Sequence, residues 1–476
     1  MQDADADALL ITLDRTARTP LAVQLADALR AAGATGQLRS GDRLPSTRTL
    51  AGRLKVSRTV TAAAYDQLHA EGWIVGRHGS GTYVTTSPPG VPSVVQDRPV
   101  ATTPEPEVVD LLLGVPWVGG LDRAAWRRAW RCAADSDPLV RPEPAGLPEY
   151  RVAVVEHLLR HRGLTIGGLA IGAMGSGRPA TDSVLATAGT SAAVAELAAA
   201  VLNPGDVVAV EEPGYQRAVG ALRAAGVRVV PAALDQDGLV VDELPAGVRA
   251  VYCSPAHQYP LGSRLPAVRR VALVERARAE GWWIIEDDYD GELRYDVAPL
   301  PLLAALAPDV VVHLGTTSKI LTPTLGAGWM VAPPAVAAAV IAHRDRTGIK
   351  PAAAGQRVVV ELARNGDLGR HLRRLRRELS ERRVLVVDTL RRAGIAVLGD
   401  DAGAHVVVLL PSDEIERDVL AAGERHGFRL DPLARHHAGH PRWHGVAIGY
   451  TACSRAQLNA VLPVLVDLLT PAVAAR

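Results

Sequence analysis

Lys319 is the residue whose type and position best suit covalent chemistry. The chain has three lysines, and Lys319 lies just beyond the apolar run 310–314, which predicts a buried strand. An amine in such a place can form a Schiff base with an aldehyde cofactor. Pyridoxal phosphate also needs an acid at its ring nitrogen, a donor to its O3′, a flat side chain on the ring and a helix N-terminus for its phosphate. Lys319 therefore lies where a lysine could form an aldimine with a cofactor of that kind.

A run of acidic residues offers candidates for the acid at the ring nitrogen. The segment Glu286–Asp290 contains four acids and follows the apolar run 282–285, which predicts a second buried strand. Such a run could also bind a metal ion or form a solvated loop. Because Lys319 lies at a neighbouring strand exit, we favour the cofactor acid.

A second candidate site is a basic region near the N-terminus. Residues 15–84 contain ten basic and four acidic side chains, whereas the whole chain has a formal net charge of +1. Arg58 begins a predicted helix, where it could donate to guanine in the major groove. Arg48 could contact phosphate, and the tip 77–79, with Arg77, could enter the minor groove. Each arginine alone could equally solvate a helix face, so the inference depends on the group.

The elements around these basic residues predict a winged helix-turn-helix. Leucines recur every four residues from Leu21 and predict a first helix. Ser46 and Ser57 provide N-cap hydroxyls for a second and a third helix. Apolar runs at 73–75 and 82–84 flank a glycine-rich basic tip, a pattern typical of a two-stranded wing.

The larger C-terminal part predicts an α/β fold. From residue 184 onward, short Val- and Ile-rich runs alternate with helical patterns, which favours βαβ units, a mostly parallel sheet and a site at the carboxyl ends of its strands. A stretch rich in Pro, Ser and Thr precedes it and predicts a semi-rigid linker. We expect a DNA-binding domain at 15–84, a linker at 85–107 and a large domain at 108–476.

Composition limits the classes of protein that remain. The chain has 476 residues, 48% of them hydrophobic, and lysine plus arginine nearly balance aspartate plus glutamate. Its three cysteines, at 132, 253 and 453, have neither a disulfide framework nor a metal-ligand spacing. Since no stretch approaches 18 uninterrupted apolar residues, we expect a cytoplasmic protein with no membrane span and no metal site.

The segment 44–84, LPSTRTLAGRLKVSRTVTAAAYDQLHAEGWIVGRHGSGTYV, resembles the winged helix of GntR-type bacterial transcription regulators over nearly its whole length. That resemblance implies double-stranded operator DNA as a partner. Ala62 departs from the pattern, because relatives often carry a polar or basic residue there. The positions implied for operator contact are Arg48, Ser57, Arg58, Thr59, His78 and Gly79.

Five further segments occur in the order seen in fold-type I aminotransferases: ATAGTSAAV, EEPGYQRA, SPAHQYPLG, IIEDDYDGELRY and GTTSKILTP. The resemblance covers about Asp110 to the C-terminus. Together with the winged helix, it makes the chain similar to MocR/GabR-type regulators, in which the two parts are fused.

This resemblance implies a role for each matching residue. Lys319 would hold pyridoxal phosphate, Asp287 would pair with its ring nitrogen and Tyr289 would donate to O3′. Tyr215 would stack on the ring. The other matching residues are Gly189, Thr190 and Ser191 for the phosphate, Ser318 beside the lysine, and Arg217 for an effector carboxylate.

Three positions depart from the family pattern. Gly326 stands where relatives have a phosphate-binding arginine, and Ala447 where aminotransferases have the arginine that binds the substrate carboxylate. Arg141 aligns with a tyrosine that relatives donate to the partner subunit's phosphate site. We therefore expect inefficient transamination, and a phosphate cation supplied by Arg141 across a dimer interface, unless Arg141 is simply a surface residue in a variable turn.

The sequence thus predicts a homodimeric transcription regulator that binds operator DNA and senses pyridoxal phosphate or an amine effector. Two alternatives remain open. The chain could be a working aminotransferase with an accessory DNA-binding module, or a degenerate aminotransferase fold that serves only to dimerise.

Overall fold

The computed structural model describes residues 11–77, 81–85, 108–164, 180–295, 300–399 and 402–474. They form two compact units, one within residues 1–103 and the other within 104–476. Of the predicted linker 85–107, all but Thr85 lies outside the described residues, as do His78 and Gly79. The linker therefore stays a prediction.

The N-terminal unit contains three helices and a small sheet. Ser46 Oγ accepts from the backbone N of Thr49 at 3.1 Å, and Ser57 Oγ accepts from that of Val60 at 3.4 Å, so both serines cap helices as predicted. In the sheet the third strand pairs with both others. The elements, in chain order, are α1 (Leu21–Ala34), β1 (Arg43–Leu44), α2 (Thr47–Leu54), α3 (Arg58–Ala70), β2 (Ile74–Arg77) and β3 (Gly81–Val84).

The C-terminal unit is built on a seven-stranded sheet. The first strands of this unit, in chain order, are β4 (Val109–Asp110), β5 (Val184–Thr187), β6 (Val207–Glu211), β7 (Arg228–Ala232), β8 (Leu234–Asp235), β9 (Gly238–Leu239), β10 (Ala250–Cys253), β11 (Trp283–Asp288), β12 (Val311–Thr316) and β13 (Gly328–Val331). The order of the large sheet is β5-β13-β12-β11-β10-β6-β7, and β13 runs antiparallel to both of its neighbours while the other pairs are parallel. The strands β8 and β9 pair with each other outside this sheet.

Helices cover the sheet and connect it to a smaller antiparallel sheet of order β14-β17-β16. The remaining strands are β14 (His405–Leu409), β15 (Phe428–Arg429), β16 (Asp431–Pro432) and β17 (Gly445–Gly449). The helices are α4 (Arg123–Ala134), α5 (Pro148–Arg162), α6 (Thr190–Val201), α7 (Gln216–Ala224), α8 (Ala267–Glu280), α9 (Leu303–Leu306), α10 (Pro334–Thr347), α11 (Ala353–Arg364), α12 (Asp367–Arg392), α13 (Asp413–Arg425) and α14 (Arg455–Ala474).

The core around the seven-stranded sheet divides into two apolar clusters because successive side chains of a strand point to opposite faces. On β11, Ile284 belongs to one cluster and Ile285 to the other, and on β12 the same holds for Val311 and Val312. The predicted fold class, a winged helix-turn-helix followed by a large α/β aminotransferase-like domain, is confirmed.

One helix among the described residues, α14, is long and apolar enough to cross a membrane by length and composition. Its Leu458, Leu462, Leu465 and Leu469 are buried. It packs on α12 and α13, a position typical of a core helix.

Candidate functional site

A cavity of about 660 Å³ lies at the carboxyl ends of β5, β11 and β12. Nine of the ten residues predicted to bind the cofactor or effector line it, although they come from four separate segments of the chain. They are Lys319, Asp287, Tyr289, Tyr215, Gly189, Thr190, Ser191, Ser318 and Arg217.

Lys319 is half-buried at one end of this cavity. Its Nζ donates to the carbonyl oxygen of Gly114 at 2.8 Å. Gly114 has φ +92°, and a Cβ there would lie 3.0 Å from Nζ, so glycine suits this close approach. Burial lowers the pKa of the Lys319 ammonium, and the carboxylates of Asp290 and Asp287 partly oppose that shift. A lowered pKa increases the fraction of neutral amine, the form that attacks an aldehyde.

Asp287 faces the cavity with one of its carboxylate oxygens unsatisfied. Tyr252 donates its hydroxyl hydrogen to Asp287 Oδ2, whereas Oδ1 is buried with no hydrogen-bond partner among the described residues. Burial raises the pKa of Asp287 to about 7, the Tyr252 hydrogen bond opposes this, and neighbouring Asp288 adds to it. A protonated ring nitrogen would satisfy Oδ1 and compensate its charge, so this acid fits a pyridine cofactor.

The two acids that flank Asp287 point away from the cavity, because alternate residues of β11 face opposite sides of the sheet. Glu286 accepts from the backbone N of Leu303 at 2.7 Å. Asp288 receives two bonds from the buried Arg162, at 2.8 and 2.7 Å. All of these acids are buried, so the run is not a solvated loop, and no cluster suited to a metal occurs in the described part of the chain.

The first turn of α6 forms part of the cavity wall. This helix has no side-chain cap, so its first backbone N–H groups remain available to an anion. Gly189 precedes it with φ +118°, a conformation that favours glycine. Thr190 and Ser191 follow, and Ser191 Oγ lies 2.8 Å from the Tyr215 hydroxyl.

Three tyrosines form an aromatic wall. Tyr259 packs edge-to-face on Tyr215, with ring centroids 5.7 Å apart, and on Tyr289 at 5.6 Å. The Tyr289 hydroxyl lies 3.0 Å from His257 Nδ1, which in turn lies 2.8 Å from Asp290 Oδ2. The wall provides the flat apolar surface that an aromatic ring requires.

Several residues in or near the cavity were not identified from the sequence, among them Tyr252, Tyr259 and Arg435. Arg435 lines the cavity and pairs with the fully buried Asp431. Tyr259 lies in a recognised motif, SPAHQYPLG, and could have been found there. Nothing in the sequence around Tyr252 marks it as a site residue. At Arg435 the only such sign is the basic run around that residue.

The three departures from the family pattern have distinct surroundings. Gly326 has φ +59° and open space where a Cβ would lie. Ala447 is fully buried in the middle of β17, among apolar side chains. Arg141 is exposed in the loop between α4 and α5 and does not line the cavity of its own chain. Its contact with a partner's phosphate stays a prediction.

In the N-terminal unit, Arg48, Ser57, Arg58 and Thr59 are all exposed. The hydroxyl of Thr61 donates to the carbonyl oxygen of Thr47 at 2.9 Å and joins α3 to α2. Arg77 lies at the end of β2 beside the undescribed tip. The start of α3 is thus exposed for contact with a groove, the geometry that helix-turn-helix recognition requires.

Comparison with known proteins identifies both units. Residues 21–84 match the model of bacterial regulatory proteins of the gntR family, and residues 142–427 match that of class I and II aminotransferases. The latter covers more than half of the chain. A kynurenine aminotransferase from Pyrococcus horikoshii, solved with PMP, covers 78% of this chain and 91% of its own, with 24% identity and a TM-score of 0.67.

Two curated relatives match almost from end to end. The pyridoxine biosynthesis transcriptional regulator PdxR of Corynebacterium glutamicum is 33% identical over 97% of this chain and 99% of its own length. The probable rhizopine catabolism regulatory protein MocR of Rhizobium meliloti is 31% identical over 93% of this chain and 92% of its own. The chain therefore belongs to the MocR/GabR-type transcription regulators, in which a GntR-type winged helix is fused to an aminotransferase-like domain.

Proposed function

We propose that this regulator binds pyridoxal phosphate in the 660 Å³ cavity and that the bound cofactor, or an amine that reacts with it, controls operator binding. The observation that supports this most is that one cavity is lined by both Lys319 and Asp287, whose Oδ1 is buried and unsatisfied. We assign operator binding to residues 15–84 and cofactor binding to 108–476, joined by a linker at 85–107 in a cytoplasmic homodimer.

Each residue of the cavity has a separate task in this proposal. Bound pyridoxal phosphate supplies an electrophilic carbon that reacts with amines. Lys319 provides the amine that holds it covalently, and Asp287 accepts a hydrogen bond from its ring nitrogen. Tyr289 donates to the ring hydroxyl and Tyr215 packs on the ring face. The first turn of α6, with Thr190 and Ser191, holds the phosphate, and Ser318 supports that end beside the lysine.

The remaining cations of the cavity indicate what kind of amine would act as effector. Arg217 is exposed at the cavity wall, and Arg435 is held there by Asp431. Two guanidinium groups favour an amine that also carries a carboxylate, because charge-assisted bonds to a carboxylate are strong and directional. Pyridoxal phosphate alone remains the simpler signal.

The rival function is amino-acid transamination, and the feature that favours it is the burial that lowers the pKa of Lys319 from its ordinary value. Ala447, however, offers no donor to a substrate carboxylate. We therefore expect turnover of common α-amino acids to stay below roughly 1 s⁻¹, the lower end of ordinary enzyme rates. Steady-state assays with amino donors at or above that rate would favour the rival.

The test of cofactor binding compares two lysine variants. We expect Lys319→Ala to lose the visible absorbance band and the borohydride-reducible adduct formed with pyridoxal phosphate. Lys350→Ala, at an exposed lysine remote from the cavity lining, should retain both. An adduct that survives in Lys319→Ala would show that the cofactor is held elsewhere or not at all.

A further inference from the structure

Two helices of the C-terminal unit, α4 and α12, carry exposed arginines that no carboxylate neutralises. We propose that this surface, called the α4/α12 basic face, binds the phosphate backbone of duplex DNA outside the operator bases contacted by the winged helix. Five of its arginines are exposed and make no side-chain hydrogen bond or ion pair with any described residue: Arg123, Arg127, Arg131, Arg373 and Arg377.

The arginines of both helices belong to one surface because the helices are joined at two points. Arg374 Nε donates to the carbonyl oxygen of Gly120, just before α4, at 3.3 Å. Arg128, within α4, pairs with Asp367 at the start of α12 at 2.5 Å. Residues 123, 127 and 131 recur every four positions, so they share one face of α4, opposite its buried alanines.

The carboxylates at the starts of α4 and α12 are already engaged by other groups. Asp367 lies between Arg128 and Arg370, at 2.5 Å from each. Asp122 accepts from the first backbone N–H groups of α4 at 2.9 and 3.1 Å. Since the whole chain has a net charge of only +1, the positive charge here is concentrated locally.

The spacing of the arginines suits a regular polyanion. Four residues of helix advance about 6 Å, close to the rise of two successive phosphates of one DNA strand along the duplex axis, about 3.4 Å each. A second copy of the chain fits less well, because a symmetric contact would bring this face against like charges. Duplex DNA is the polyanion that a winged-helix regulator already binds.

The experiment measures how salt weakens the binding of the full-length, cofactor-loaded protein to a random-sequence duplex of about 60 bp. The test variant replaces Arg123, Arg127, Arg373 and Arg377 with serine. The matched control replaces four exposed arginines outside both helices, Arg228, Arg346, Arg425 and Arg442.

Each lost phosphate contact lowers the slope of log affinity against log salt by about 0.9, so we expect the test variant to lose about 2–4 from the slope and at least about tenfold in affinity. The control should match the wild type. Equal slopes for the test variant and the wild type would overturn the proposal. It would also be overturned if the test variant lost binding to phosphatidylserine vesicles but kept its binding to DNA, because the face would then bind a membrane.

This inference and the proposed function can fail separately. The test variant should keep the preference for operator over random DNA and the cofactor absorbance band, because neither the winged helix nor the cavity is altered. Arg58→Ala should show the reverse: reduced operator preference with the salt slope largely retained. If the test variant instead lost its operator preference while keeping its slope, the α4/α12 basic face would not be a backbone-binding surface.

Discussion

Tyr252 and Asp287 lie on the neighbouring strands β10 and β11, and the Tyr252 hydroxyl donates to Asp287 Oδ2, leaving Oδ1 for a ligand. The hydroxyl fixes the carboxylate and opposes the rise in its pKa that burial causes. Tyr252 is thus a positioning residue for the acid that would meet the cofactor ring.

Tyr252→Phe should weaken pyridoxal phosphate binding about tenfold, since a hydrogen bond to a charged group contributes about 1.5–3 kcal/mol. Titration followed by absorbance measures the change. The control is Tyr450→Phe, which removes a buried hydroxyl bonded to Gly403, outside the cavity lining. Equal affinity in Tyr252→Phe and the wild type would show that Tyr252 does not position Asp287 for the cofactor.

Asp287 should also affect stability in the cofactor-free protein. Its ordinary pKa of 3.8 rises to about 7 on folding. The folded state then binds the proton more tightly than the unfolded state, so this stabilisation is complete below about pH 4 and is lost as pH rises through 7. Asp287→Asn should therefore raise Tm relative to the wild type, and by more at pH 8 than at pH 5.

The control for this measurement is Asp288→Asn, which removes the negative charge and one of the two carboxylate oxygens that accept from the buried Arg162, and should lower Tm at both pH values. A Tm difference between Asp287→Asn and the wild type that is constant across this pH range would show that the carboxyl does not titrate there.

Local sequence identified most of the cavity because its residues follow strands, and the carboxyl ends of parallel strands meet at one edge. Tyr252 was missed because it is an ordinary buried aromatic until the register of β10 and β11 is known. The sequence did not show which acid of the run faces the cavity. Alternation along a strand separates Asp287 from Glu286 and Asp288, but it applies here only because β11 continues through residue 288.

Arg435 could not be predicted because its position depends on a contact between distant segments. Asp431 pairs with Ala447 across the strands β16 and β17, and it is Asp431 that holds Arg435 at the cavity. The aminotransferase pattern places an arginine at position 447, whereas here Arg435 supplies a cation to the cavity.

Operator recognition should divide between Arg58 and Arg48. Arg58, at the exposed start of α3, should read base edges, so Arg58→Ala should cost about 1–3 kcal/mol on the operator and relax base preference. Arg48→Ala should weaken all sequences alike, since a phosphate contact carries no sequence information. Gel shifts on operator and random duplex separate the two, and an equal loss on both for Arg58→Ala would exclude base reading.

Binding of the cofactor's phosphate should depend on Arg141 of the partner subunit. Arg141→Ala should lower pyridoxal phosphate affinity at least about tenfold, as expected for a lost charge-assisted bond. Gly326→Arg should restore only part of it, because φ +59° at that position costs a non-glycine residue about 1–2 kcal/mol. Unchanged affinity in Arg141→Ala would mean that this arginine is a surface residue.

The central claim is that cofactor binding in one unit controls DNA binding by the other. Its most direct test is a gel-shift titration of the protein on its own upstream DNA, with and without pyridoxal phosphate, for the wild type and Lys319→Ala. We expect the cofactor to change the operator Kd of the wild type by at least about fivefold, the lower end of ordinary coupling between sites, and to leave that of Lys319→Ala unchanged. Specific binding that ignores pyridoxal phosphate in the wild type, or responds equally in Lys319→Ala, would contradict the account.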